Sequence, residues 1–122
     1  ENIFVTGNRQ MLTELIEILL DNACKYSKGG GTTWLTLKHS DKNHCLLRVA
    51  NEGAPIDACD LKNLFTRFYR ADHTGSSVSG SGLGLSIASN IVKLHHGKIK
   101  AESLDSVNSF TVRLECHTAT SK

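Results

Sequence analysis

Residues 19–27 read Leu-Leu-Asp-Asn-Ala-Cys-Lys-Tyr-Ser and close the strongest helical pattern in the chain. At about 100° per residue, the apolar positions before and within this segment share one stripe of a helix: Leu12, Leu15, Ile16, Leu19 and Ala23. Asn22 points only about 20° away from Leu15 on such a helix. A polar amide is therefore set among core positions, where it needs hydrogen-bond partners.

Two further polar side chains lie close to Asn22 on the predicted helix. Lys25 falls on the flank of the stripe, and Tyr26 returns to the side of Asn22 one turn later. An amide oxygen beside a lysine amine suits a magnesium–phosphate group, because the metal prefers oxygen ligands and the phosphate needs positive charge. A buried Asn bonded to a neighbouring strand is the competing interpretation, and the helix alone slightly favours it.

A second polar interruption spans residues 49–56, Val-Ala-Asn-Glu-Gly-Ala-Pro-Ile. A strand pattern ends in Asn51, Gly53 and Pro55 and then returns to an apolar Ile56. Gly53 allows a backbone or a ligand to approach closely. By itself, the segment is typical of an ordinary turn.

A third segment, residues 80–85, reads Gly-Ser-Gly-Leu-Gly-Leu and precedes a predicted helix. The free N–H groups and the dipole at a helix start favour anions. Two other phosphate-binding motifs are excluded here. A dinucleotide fingerprint requires a glycine at the position of Leu85, and a P-loop requires a lysine at the position of Ser81.

The remaining patterns predict alternating strands and helices with hairpin turns. The expected elements are a strand at 3–6, a helix at 8–27 capped by Asn8, strands at 32–39 and 44–50, a short helix opened by Asp57 or Asp60, a loop to 82, a helix at 83–95 ended by Gly97, and strands at 99–103 and 110–116. This order predicts an α/β two-layer sandwich, with a mixed, mostly antiparallel sheet of about five strands and about three helices on one face.

Composition limits the class of protein. The chain has 122 residues, is 39% apolar and carries a formal charge of +2, which indicates one globular domain and argues against nucleic-acid binding. No apolar run approaches the roughly 20 residues that cross a membrane, so we expect no membrane contact by this domain. The four cysteines lack a Cys-x-x-Cys pair, and we expect reduced thiols, mostly filling apolar space, in a cytosolic domain.

Taken together, four segments resemble the ATPase module shared by sensor histidine kinases, type II topoisomerases, heat-shock chaperones and mismatch-repair proteins. Residues 19–27 resemble the N box of histidine kinases, 51–56 the first glycine box, 64–72 the F box and 80–88 the second glycine box. The resemblance extends from about residue 9 to about residue 114 and implies a Bergerat-type fold with a mobile ATP lid at about 69–81.

The resemblance also implies roles for individual residues. Asn22 would coordinate Mg²⁺, Lys25 would reach a phosphate, and Arg70 and Arg67 would meet the terminal phosphate; these four are the expected catalytic residues. The expected ATP-binding residues are Asn22, Lys25, Tyr26, Asn51, Gly53, Ile56, Phe68, Gly80, Gly82, Leu83, Gly84 and Leu85.

The chain departs from the family pattern at three positions. Asn51 stands where the family has an Asp that accepts from the adenine amino group, and Pro55 stands where it has a Gly. An Asn can still accept from that amino group, so we expect adenine binding to survive. Ile18 stands where hydrolysing relatives place a Glu that activates water, which favours transfer to a protein acceptor over hydrolysis.

The expected function is therefore ATP-dependent phosphoryl transfer to a histidine on a separate dimerisation domain, with a response regulator as indirect partner. We expect residues 1–122 to form a single catalytic domain of a larger kinase. We expect that kinase to lie in a bacterial membrane, with this domain in the cytoplasm. The alternatives are a serine kinase of the anti-sigma-factor type and a nucleotide-binding module with degenerate catalysis. A gyrase-like or chaperone-like ATPase is disfavoured because the hydrolytic Glu is missing.

Overall fold

The computed structural model describes residues 3–5, 7–26, 31–65 and 84–118. Within these ranges the elements are β1 (Ile3–Phe4), α1 (Arg9–Tyr26), β2 (Thr33–Asp41), β3 (His44–Glu52), α2 (Ala58–Asn63), α3 (Gly84–Leu94), β4 (Lys98–Leu104), β5 (Val107–Glu115) and β6 (His117–Thr118). The predicted order of strands and helices is confirmed, and the two-residue strand β6 is an addition.

The main sheet has four strands in the order β2-β3-β5-β4, and every pairing between neighbours is antiparallel. The predicted first strand, β1, lies outside this sheet and pairs with β6 in a separate antiparallel ladder. The α/β sandwich is confirmed, and the described strands form an antiparallel rather than a mixed sheet.

The core lies between one face of this sheet and helices α1 and α3. Successive side chains of a strand point to opposite faces, so alternate residues of β3 and β5 meet the buried stripe of the helices. The buried members are Leu15, Leu19 and Ala23 of α1, Cys45, Leu47 and Val49 of β3, Ala88, Ile91 and Val92 of α3, and Phe110, Val112 and Leu114 of β5. Each large apolar side chain buried here stabilises the fold by about 1.5–3 kcal/mol.

One residue of the predicted stripe lies outside this core. Ile16 is 37% exposed, because it points about 100° away from Leu15 and α1 packs over β3 rather than over the edge strand β2. Leu35 and Leu37 of β2 are also exposed, because α1 does not pack over this edge strand.

The opposite face of the sheet is open and strongly basic. A depression of about 800 Å³ on this face is lined by Thr36, Lys38, Leu46, Arg48, Lys98, Ile99, Lys100, Glu102, Thr111 and Arg113. Two of its cations have acidic neighbours: Arg113 lies 3.4 Å from Asp41, and Lys100 lies 3.8 Å from Glu102. Since all four of these side chains are substantially exposed, the two pairs add little to stability.

The predicted start signals for the first two helices are confirmed. The side-chain oxygen Oδ1 of Asn8 accepts from the backbone N–H of Met11 at 2.9 Å, which is the geometry of an N-cap. Of the two candidates for the second helix, Asp57 is the correct one, because its carbonyl accepts from the N–H of Leu61 at 2.9 Å and Ala58 begins the helix.

Helix α3 ends at Leu94, shortly before Gly97. His96, not Gly97, has the left-handed backbone, with φ of 58°. The N–H of Gly97 donates to the carbonyl of Val92 at 2.9 Å and that of His96 to Lys93 at 3.0 Å, the two bonds of a Schellman motif. Gly97 is required for space, since a Cβ there would lie 2.4 Å from the carbonyl oxygen of Arg113.

Candidate functional site

A pocket on the helical side of the sheet brings together residues from six parts of the chain. It lies where α1, the end of β3, the loop after β3, the turn after α2, the start of α3 and β5 converge. Its lining residues are Asn22, Asn51, Ile56, Leu64, Leu85, Asn108 and Phe110. Three amides stand among apolar walls here, and the cavity that these residues enclose is about 10 Å³, room for about one water molecule.

Asn22 lies at the wall of this pocket rather than inside the packed core. Its side chain is half-buried, whereas its neighbours on the stripe, Leu19 and Ala23, are fully buried. Asn22 can therefore interrupt the apolar pattern of the helix because it lies at the edge of the core. Lys25 and Tyr26 have their backbones in the last turn of α1, and their side chains are outside the described part of the structure.

Asn51 is buried, with 1% of its surface exposed. It belongs to β3 instead of the turn that follows, and it pairs in register with Asn108 of β5. Its Nδ2 donates to the carbonyl of Glu52 over 3.3 Å, a long and weak bond. Strand pairing thus fixes the backbone of Asn51 while its amide lines the pocket.

The loop after β3 is attached to the β4–β5 hairpin by hydrogen bonds. The N–H of Gly53 donates to the carbonyl of Ser106 at 3.0 Å, and the N–H of Ile56 donates to Oγ of Ser103 at 2.9 Å. Both Gly53 and Ile56 were predicted to belong to the site. Gly53 is buried, and Ile56 is half-buried at the pocket wall.

Asn108 is a pocket residue that the sequence analysis missed. It is 2% exposed, its Nδ2 donates to the carbonyl of Ala54 at 3.0 Å, and its Oδ1 accepts from the hydroxyl of Ser103 at 2.6 Å. The signal for it was present in the sequence. Asn108 is two residues before Phe110 and hence on the core face of β5, which is the same kind of polar interruption as Asn22.

The pocket meets the start of α3 at Leu85, which is half-buried. Gly84 is the first residue of α3, and a Cβ placed there would lie 3.6 Å from the Cγ2 methyl of Ile18. A methyl group therefore faces the helix start at the position where hydrolysing relatives place a carboxylate. Glu14, Glu17 and Asp21, the acidic residues nearest to Ile18 in sequence, are exposed. Gly80, Gly82 and Leu83 are outside the described residues.

The α2 side of the pocket is apolar. Leu64 is 7% exposed, and the rings of Phe65 and Phe110 meet edge to face, with centroids 6.2 Å apart and planes at 80°. Such aromatic pairs stabilise by about 0.5–1.5 kcal/mol beyond the area they bury. Arg67, Phe68, Arg70 and the predicted lid at 69–81 lie outside the described residues.

The protein groups at the site suit a metal ion that is bound mainly by the phosphates of a nucleotide. Among the described residues there is no group of three or more His, Cys, Asp or Glu side chains able to hold an ion. Mg²⁺ in nucleotide sites keeps several waters and takes few protein ligands, so the single amide oxygen of Asn22 suits it.

The larger depression on the open face is a poorer candidate for a nucleotide. Its cations are exposed, and regular strand residues line it. It has neither a helix start nor a buried amide to read a base. We therefore place the candidate site on the helical side, and the cations of the open face provide controls for it.

Comparison with known proteins agrees with this geometry. A family model described as "Histidine kinase-, DNA gyrase B-, and HSP90-like ATPase" matches residues 7–118. The heme sensor protein HssS of Staphylococcus aureus is 37% identical over 115 residues, which cover 93% of the chain and 24% of HssS. The chain thus spans about a quarter of the length of the curated relatives it matches.

Two solved structures share the fold over most of the chain. The mycobacterial sensor histidine kinase MprB superposes with a TM-score of 0.85 at 28% identity, covering 93% of the chain and 77% of MprB. The catalytic domain of histidine kinase ThkA has a TM-score of 0.77 at 25% identity, with 91% and 70% covered.

Proposed function

Because the chain belongs to the family of histidine kinase-, DNA gyrase B- and HSP90-like ATPases, we propose that it serves as the ATP-binding catalytic domain of a sensor histidine kinase, which transfers the γ-phosphoryl group of ATP to a histidine. The observation that carries the proposal is the convergence of Asn22, Asn51 and Leu85 on one pocket. These are one residue from each of three segments that the sequence marked independently.

The proposed roles follow from the position of each group. Asn22 supplies an oxygen to Mg²⁺ at the phosphate end. Asn51 reads the adenine edge, with Gly53 and Ile56 forming the wall beside it. Gly84 and Leu85 belong to the start of α3, where the helix dipole favours phosphate. The remaining members of the proposed site are Lys25, Tyr26, Arg67, Phe68, Arg70, Gly80, Gly82 and Leu83.

In this proposal the chain's main contribution to phosphoryl transfer is positioning and charge stabilisation. Ile18 supplies no base to activate water, and the loss of a general base typically costs 10²–10⁴-fold in rate. Hydrolysis is thereby suppressed, and the phosphoryl group is kept for a protein acceptor. We propose that the acceptor histidine belongs to a dimerisation domain of the same kinase and that a response regulator receives the group afterwards.

The parent protein is proposed to be a bacterial membrane kinase with this domain on the cytoplasmic side. Among the described residues, no helix has the length and apolar character needed to cross a membrane. The relatives are sensor proteins several times longer than the chain, which supports further domains in the parent.

A titration of the 122-residue chain with ADP and ATP, with and without Mg²⁺, tests the binding part of the proposal. We expect a rise in melting temperature that grows with ligand concentration, because a ligand that binds the native state stabilises it by mass action. Lys100→Ala, on the open face, is a matched control that should leave the affinity unchanged. The absence of any shift at millimolar Mg-ATP would contradict the proposal.

The acceptor is tested in the full-length parent kinase with ATP labelled on the γ-phosphate. A phosphohistidine loses its label in acid and keeps it in alkali, so we expect acid-labile label on the protein. Acid-stable label on a protein substrate would instead favour the serine kinase. Nucleotide binding without any transfer would favour the degenerate module, to which the departures at Ile18 and Asn51 also point.

A further inference from the structure

The loop that follows β3 contains Pro55, and backbone groups on both sides of this proline are held by the same two side chains. The carbonyl of Ala54 accepts from Nδ2 of Asn108 at 3.0 Å. The N–H of Ile56 donates to Oγ of Ser103 at 2.9 Å. The hydroxyl of Ser103 in turn donates to Oδ1 of Asn108 at 2.6 Å, so the bonds form a continuous bridge around the proline.

This bridge uses the hydrogen-bonding capacity of Asn108 on the protein itself. An Asn amide has two N–H donors and an oxygen with two lone pairs, and here one N–H and the oxygen are each bonded to another part of the chain. Asn108 lies beside Asn51 in the strand register and is 2% exposed. Asn108 lines the pocket, and through these two bonds it also acts on the pocket by way of the loop.

We propose that Asn108 and Ser103 are positioning residues that hold residues 54–56 in the conformation required for adenine binding, and that Asn108 sets the base selectivity of the site through this loop. The proposal rests on the proposed nucleotide site. The same loop places Ile56 at the wall of the pocket that Asn51 also lines, and Gly53 is anchored to the same hairpin through Ser106. The β4–β5 hairpin thus fixes both ends of the segment that faces the base.

Asn108 donates one of its two hydrogen bonds and accepts the other. A residue of the same size at this position must therefore also have a donor and an acceptor in the same places. Replacing Asn108 by Asp keeps the shape but puts a carboxylate oxygen against the carbonyl of Ala54. Two acceptors then face each other in a buried place, which costs more than the loss of a neutral bond. Positioning by Asn108 therefore predicts that Asn108→Asp impairs nucleotide binding more than Asn108→Ala does.

The test is an ADP and GDP titration of the 122-residue chain and its variants by calorimetry. We expect Asn108→Ala to weaken ADP binding roughly tenfold, about the effect of losing a buried hydrogen bond, and to lower the preference for ADP over GDP. Ser103→Ala should weaken ADP binding by a smaller factor, and Ser103→Thr should restore it because the hydroxyl returns. Since both side chains act through one bridge, the double variant should be little worse than Asn108→Ala.

Ser109→Ala is the matched control. Ser109 is adjacent to Asn108 and 4% exposed, but its side chain points to the other face of the sheet, so its replacement should leave the ADP/GDP ratio unchanged. If Asn108→Ala does not fold, the Ser103 series decides the question. Wild-type ADP affinity and selectivity in Ser103→Ala and Asn108→Ala would overturn the inference and leave the nucleotide site standing. An absence of ADP binding by the wild type would overturn both.

Discussion

The backbone N–H of Asn8 donates to Nε2 of His95 at 3.0 Å, although 87 positions of sequence separate the two residues. The other ring nitrogen, Nδ1, lies 2.8 Å from the carbonyl oxygen of Ile91. The imidazole therefore carries a proton on Nδ1 and accepts at Nε2. One side chain in one tautomer thus links the start of α1 to the end of α3.

This link predicts a strong coupling between Gly7 and His95. A Cβ on Gly7 would lie 2.3 Å from Cδ2 of His95, and the ring cannot move without losing its two bonds. We expect Gly7→Ala to lower the free energy of unfolding by about 2 kcal/mol, as overpacking does. In a His95→Ala background the same change should cost less than about 1 kcal/mol. Urea unfolding of the four proteins of this cycle measures the coupling, and equal costs in both backgrounds would contradict it.

Asn22 should be required for phosphoryl transfer but not for folding. We expect Asn22→Ala and Asn22→Asp to abolish transfer in the parent kinase, while the half-buried position limits the loss of stability to about 1 kcal/mol. Thermal melts and transfer assays separate the two effects. Glu17→Gln, on the exposed side of α1, is the control. Unfolding of the Asn22 variants, with transfer persisting in the folded fraction, would assign Asn22 a structural role.

Asn51 should select adenine. We expect Asn51→Ala to weaken ATP binding by about 1–2 kcal/mol and to reduce the preference for ATP over GTP, because GTP presents a carbonyl where adenine presents an amine. Asn51→Asp should keep or improve ATP binding, since a charged acceptor makes a stronger bond. Competition titrations of both nucleotides decide this. Equal losses for ATP and GTP would remove Asn51 from the base-binding site.

The two buried cysteines should be unreactive at neutral pH. Burial, assisted by the neighbouring thiol of Cys116, raises the pKa of Cys45 to about 11, so roughly one molecule in a thousand carries the reactive thiolate at pH 8. Cys24 and Cys59 are exposed, whereas Cys45 and Cys116 are buried. Ellman's reagent should titrate two thiols in the native protein and four after unfolding. Rapid reaction of all four in the native state would contradict the burial of Cys45 and Cys116.

Much of the fold could be predicted because local signals carry it. The Asn8 cap, the Asp57 start and the alternation along β3 and β5 depend on neighbours in sequence, and the structure agrees with them. The strand bounds were less accurate: β5 begins at Val107 rather than Phe110, because Asp105 and Ser106 adopt left-handed backbones and complete the turn in two residues. Nothing in the pattern indicated that a Ser would take such a conformation.

For the candidate site, the sequence indicated residues that interrupt an apolar pattern but not the groups that hold them. Asn22 was found because it stands at a core position of its helix, and Asn51 because it follows a strand pattern and stands where the family has an Asp. Ser103 was missed because its hydroxyl matters only through Ile56 and Asn108, which lie far from it in sequence or on another strand. Hydrogen bonds of this kind arise from tertiary packing, and no local periodicity reports them.

The order of strands in the sheet has a consequence for how the chain folds. The pairs β2–β3 and β4–β5 are hairpins closed by two-residue turns, which form within microseconds in isolation. The central ladder instead joins β3 to β5, with Glu52 opposite Val107 and His44 opposite Glu115, and it must close a long intervening loop first. We expect this closure to limit the folding rate. Substitutions in either turn should then change the stability of a hairpin that forms early. Substitutions at the contacts between β3 and β5 should change the rate at which the two halves of the domain join, and hence the folding rate.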